Sequence, residues 1–135
     1  MPISQTHELL VKEIETWILE NYNSSIIRIQ VDDSFSNSSS RPPNIGGHIP
    51  DIYADSINKT KLLIGEAKTP GDLDNQRTVD QLTSYIKFLN KNGGGIVIIA
   101  TQWSHANRAK SIAKKIVKYH QIQNVTIVVL DQLSV

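Results

Sequence analysis

The chain has 135 residues, 39% of them hydrophobic and 20% charged, a balance that suits one folded domain and excludes wholesale disorder. Lys and Arg number 14 against 13 Asp and Glu, for a formal net charge of +1, so any basic surface must be local. There is no cysteine, which excludes disulfides and cysteine-ligated zinc and is compatible with a reducing cytosol. The opening MPISQTHELLVKEIE lacks the apolar core of a signal peptide, and no apolar run reaches membrane-spanning length. A cytoplasmic protein with no membrane attachment is the expectation.

Leu10, Ile14, Trp17 and Ile18 recur at helical spacing and predict a helix over residues 6 to 22, with Thr6 as N-cap. Residues 26 to 31 are rich in β-branched side chains and predict a strand. Residues 32 to 48, DDSFSNSSSRPPNIGGH, read as a long loop, either functional or a plain surface excursion. Residues 50 to 70, PDIYADSINKTKLLIGEAKTP, read as two strands joined by a turn, followed by the turn-rich TPGDLDN. Val79, Leu82, Ile86 and Leu89 mark an amphipathic helix over residues 75 to 90, stopped by Asn92 and three glycines. The glycines precede a strand and lack a following Lys-Ser/Thr, so they are not a phosphate loop. GIVIIAT (95 to 101) is a doubly buried strand. Ser104 is placed to cap a helix through Tyr119 that turns Ile112, Ala113, Ile116 and Val117 inward, and VTIVVL (125 to 130) is a final strand. The order α-β-β-β-α-β-α-β implies an α/β fold, a mixed sheet with helices on both faces.

The hairpin carries charges where apolar residues are expected. With Ile57-Asn58-Lys59-Thr60 as a four-residue loop, Ser56 faces Lys61 and Asp51 lies opposite Glu66. Lys68 is two residues further on the same face. Directly opposed carboxylates repel, and in a partly buried setting one of them holds a proton unless a cation neutralises it. Oxygen ligands of this charge suit Mg²⁺ or Mn²⁺, and a lysine beside such an ion stabilises a developing anion or positions a water. A salt bridge in which Lys68 compensates two acids is the competing structural reading.

The pattern Pro50-Asp51, then Glu66-Ala67-Lys68 on the next strand, resembles the PD-(D/E)XK nuclease superfamily, the restriction-endonuclease-like fold. The element order from Thr6 to Thr101 matches that superfamily's α-β-β-β-α-β core. The resemblance implies that Asp51 and Glu66, with the backbone carbonyl of Ala67, bind a divalent metal, and that Lys68 acts on the water or the developing charge. It further implies a helical glutamine, for which Gln81 stands in place, and a glutamate from the first helix, for which Glu8 and Glu13 compete. An exposed polar group for Gln81 and solvated charges for the glutamates are the plain alternatives.

Gly46, Gly47 and His48 precede the motif and either let backbone approach a phosphate or base, or form a simple turn. Arg41 in the long loop and Arg77 at the start of the second helix are placed to grip phosphates. His7, His105 and His120 flank helices without metal-ligand spacing and read as surface or capping groups. Lys110, Lys114 and Lys118 form a stripe with Arg108 and Lys115 beside it, a solvated face or a phosphate-contacting one. The expectation is a Mg²⁺- or Mn²⁺-dependent endonuclease acting on DNA, of resolvase, restriction or repair type, working through loops, a homodimer or a partner subunit. The alternatives are an idle nuclease-fold accessory subunit and an α/β interaction module with a structural salt-bridge network.

Overall fold

The computed structural model describes residues 3 to 32 and 41 to 131. Residues 33 to 40, in the expected long loop, lie outside the described residues. The elements are α1 (Ile3–Asn21), β1 (Ile27–Val31), β2 (Ile52–Ser56), β3 (Leu62–Ala67), α2 (Gln76–Lys91), β4 (Gly95–Ala100), α3 (Ala106–Tyr119) and β5 (Val125–Leu130), in the order expected from the sequence. They build a five-stranded mixed sheet in the order β1-β2-β3-β4-β5. The first three strands are antiparallel, and β3, β4 and β5 are parallel.

Two crossovers, β3-α2-β4 and β4-α3-β5, step in one direction across the sheet, so connections of the same hand leave α2 and α3 on one face, where they pack together. There they enclose Tyr53, Ile64, Leu82, Tyr85, Ile86, Ile99 and Ile112. The opposite face is covered by α1, whose Leu10, Ile14 and Ile18 pack on Ile52, Ala54, Leu63 and Ile98. Strands β2 and β3 are buried along their whole length, as strands with helices on both sides must be.

The hairpin has the register that a four-residue loop dictates, with Asp55 opposite Leu62 and Ile52 opposite Gly65. Ser56 Oγ and Asn58 Oδ1 accept the N–H groups of Thr60 and Lys61, which ties the loop to the strand end. Asn75 caps α2, its side chain accepting from Thr78 N at 2.9 Å. Two expected caps are not realised. Helix α1 starts at Ile3, upstream of Thr6, and Ser104 lies in a short 3-10 turn (Trp103–His105) where its hydroxyl meets the His105 ring instead. Among the described residues no helix is long and apolar enough to cross a membrane.

The close seat of α1 depends on Gly65. A Cβ there would stand 2.7 Å from Ile14 Cγ2, inside any normal contact. Gly65→Ala is therefore expected to destabilise the fold by about 1–3 kcal/mol through overpacking. Gly71→Ala, where a Cβ would meet nothing within 4 Å, should leave stability nearly unchanged. Denaturant melts of both variants check the contrast.

Candidate functional site

The sheet rule that alternate residues share a face puts Glu66 in line with Leu62 and Ile64, toward α2 and α3, and Lys68 follows one residue beyond β3. Lys68 N still donates to Ala100 O at 2.9 Å, so the strand direction persists through it. The register of β2 and β3, carried one step past Ile52 and Gly65, sets Asp51 against Glu66. These residues meet at the carboxyl ends of β3 and β4, the customary edge for a site in an α/β sheet.

Glu66 is 3% exposed and Lys68 8%. Tyr85 Oη, from α2, donates to Glu66 Oε1 at 2.9 Å, and Lys68 Nζ lies 3.7 Å from Glu66 Oε2. Lys68 Nζ also donates to Gln81 Oε1 at 2.5 Å. Gln81 is buried rather than an exposed helix polar group, because it lies one turn before Tyr85 on the stripe of α2 that faces the sheet. On the other side, Asp51 Oδ2 accepts the Ala67 N–H at 2.9 Å and lies 3.2 Å from His7 Nε2.

His7, expected as a surface or capping group, keeps 38% of its side chain exposed yet reaches Asp51 from within α1. The buried stripe Leu10, Ile14, Ile18, carried one helical step toward the N-terminus, lands on position 7, and that periodicity was the available signal. Tyr85 was likewise part of the inward stripe of α2. Neither expected first-helix glutamate is in the site. Glu8 is exposed, and Glu13 lies toward Asp131, with burial first and that neighbour second raising its pKa.

An open cavity of about 310 Å³ sits over these groups. Its wall includes His7, Asp51, Glu66, Ala67, Lys68 and Gln81, together with Asp32, Asp72 and Arg77. Arg77 is part of that wall, beside the motif residues. Arg41 is one ion pair away, its guanidinium 2.9 Å from Asp32 Oδ1. Gly46 and Gly47 (φ +62° and +90°) form the tight turn that closes Ile45 on His48, and glycine is required there by the left-handed backbone. His48 packs edge-on to Tyr85, ring centroids 6.5 Å apart, and does not line the cavity.

Burial, and after it the nearby Asp51 charge, push the Glu66 pKa up to about 8, against which Lys68 and Tyr85 work only in part. The hydrogen bond to Asp51 raises the His7 pKa. Burial and then Glu66 raise that of the Tyr85 hydroxyl. Burial is thus the main perturbation, and the oxygen donors gathered here are of the kind a hard divalent cation takes. Asp51, Glu66 and the Ala67 carbonyl are the groups that would hold it. Among the described residues no three or more His, Asp or Glu side chains form a ready-made metal cage. Water and substrate oxygens would have to complete the shell, as they commonly do for Mg²⁺.

The raised Glu66 pKa has a consequence for stability. The folded state binds this proton more tightly than the unfolded chain, whose carboxyl has the ordinary value of 4.5. The stabilisation is fully present below that value and is lost as pH rises through about 8. His7, also raised, acts in the same direction above its ordinary 6.5. In EDTA the melting temperature should fall as pH rises from about 5 through about 8, and Glu66→Gln should flatten that fall, most completely below about pH 6.5 where His7 does not contribute. An identical slope in the variant would contradict the assignment.

Comparison of the chain with protein-family models, with curated proteins and with solved structures gave no match.

Proposed function

We propose that this chain is a divalent-metal-dependent nuclease of the PD-(D/E)XK type, with a restriction-endonuclease-like core, hydrolysing DNA phosphodiesters. The observation that carries this reading is the convergence of Asp51, Glu66, Lys68 and Gln81 on one cavity at the carboxyl end of β3. The run α1 to β4 supplies the α-β-β-β-α-β order that such a core requires, with the motif on its central hairpin.

Asp51 and Glu66, with the Ala67 carbonyl, would hold the metal. When bound, Mg²⁺ or Mn²⁺ would polarise the phosphate and make an attacking water more acidic. His7 and the Ala67 N–H fix the orientation of the Asp51 carboxylate, and Tyr85 fixes Glu66, so neither carboxylate has to be ordered when substrate arrives. The Lys68 ammonium, steered by Gln81, faces the cavity as a donor to the attacking water or to a phosphate oxygen gathering charge. Arg77 at the wall offers a second cation for a flanking phosphate.

Cleavage is expected with Mg²⁺ or Mn²⁺, to stop in EDTA, and to fall by at least about 100-fold in Lys68→Ala. Assays on duplex, junction and flap DNA check it, and full activity in Lys68→Ala would contradict the role given to the lysine. One observation favours a second reading, a closed structural network: Asp51 Oδ2 already accepts two donors and Lys68 already has Gln81. The two readings part in thermal melts. A metal site predicts that Mn²⁺ stabilises the wild type, and Asp51→Asn less so. It also predicts that Asp51→Asn in EDTA melts no lower than wild type, since one opposed charge is gone. A structural network predicts a clear loss of metal-free stability in Asp51→Asn and no response to Mn²⁺.

A further inference from the structure

Helix α3, ANRAKSIAKKIVKY, carries five cations and no acid. Arg108 pairs with Asp74 at 2.7 Å, but among the described residues no carboxylate lies within ion-pair distance of Lys115 or Lys118. Both lysines border a groove of about 760 Å³ between α3 and α2. Its apolar wall is made by Val79 of α2 with Ile112, Ile116 and Tyr119 of α3. Val79 belongs to the apolar stripe of α2 yet is only half-buried, and Tyr119 is 83% exposed. The groove runs beside α3 from Arg108 to Tyr119, about 16 Å at helical rise, the length of three helical turns.

We propose that this groove is a docking site for a partner protein's acidic amphipathic helix. The apolar wall would take two or three large aliphatic side chains spaced three or four residues apart, and glutamates or aspartates beside them would meet Lys115 and Lys118. Charge complementarity selects the class of occupant: the rim asks for anions, and the floor asks for apolar side chains. A nucleic-acid backbone offers the first without the second, because its phosphates gain nothing from Val79, Ile116 and the Tyr119 ring. The groove lies on α2 and α3, outside the cavity of the metal site, and its occupation does not depend on the chemistry proposed there.

The test uses the full chain and a fluorescein-labelled synthetic peptide of about four helical turns, with leucines on one face and glutamates beside them. Fluorescence anisotropy in about 0.15 M salt compares it with a peptide of the same composition whose leucines are scattered, and with a labelled DNA duplex. The amphipathic peptide is expected to bind at least about tenfold more tightly than the scattered one. Lys115→Glu with Lys118→Glu, and separately Tyr119→Ala, should each weaken it about tenfold, whereas Lys110→Glu, which lies off the groove, should have a much smaller effect. Circular dichroism melts verify that the variants fold; these positions are on the helix surface, and Tyr119 is largely exposed. Equal binding of the two peptides would overturn the proposal by reducing the groove to unspecific charge. So would duplex binding that the groove variants abolish without any peptide discrimination, which marks a nucleic-acid surface. Self-association lost in the Lys115→Glu, Lys118→Glu variant would overturn it in favour of a second copy of the chain.

Discussion

Glu66 occupies a position that the sheet would otherwise give to a branched aliphatic side chain, inside the layer between β3 and α2. An isolated carboxylate there is costly to ionise, and Asp51 across the hairpin raises the cost. The surrounding polar groups answer that constraint. Tyr85 supplies a hydroxyl, Lys68 a charge at a distance, and Gln81 holds the lysine so that its stem stays buried and its head faces the cavity.

The same hairpin contains a second buried acid that makes an instructive comparison. Asp55, 2% exposed, meets Lys59 at 2.7 Å and Arg28 at 3.1 Å, two cations for one charge. Its neighbours neutralise it locally. Glu66 has one ammonium at 3.7 Å and a second carboxylate for company. At the other end Glu66 is left to hold its proton up to about pH 8, and a buried acid perturbed in this way beside a cavity is a candidate functional group.

Geometry on the α1 side is set by an absence of volume. Gly65 lets Ile14 approach the sheet more closely than any side chain at position 65 would allow. That approach carries the N-terminal turn of α1 over the end of β2, where His7 meets Asp51. Packing in one place thus positions a polar contact two helical turns away. Glycine before the glutamate serves the helix seat, and the side chain that α1 brings to Asp51 is His7, not Glu8 or Glu13.

Much of the fold was legible because its signals are local. Period-two and period-3.6 patterns gave the element order, and the four-residue loop 57 to 60 fixed the hairpin register, which sets Asp51 against Glu66. From that register the facing of Lys68 followed by arithmetic. The caps failed at Thr6 and Ser104, because a polar residue near a helix start caps only if the backbone there leaves the helix, and neighbouring packing decides that. Contacts between elements were not legible. That His7 reaches Asp51, that Tyr85 rather than solvent meets Glu66, and that Arg41 turns to Asp32 all depend on how helices and loops are seated on the sheet. The sequence by itself determined which residues share a strand face, since backbone stereochemistry makes alternation obligatory. Tertiary structure decided which side chains from elsewhere complete that face, because such partners are chosen by packing between segments distant in the chain.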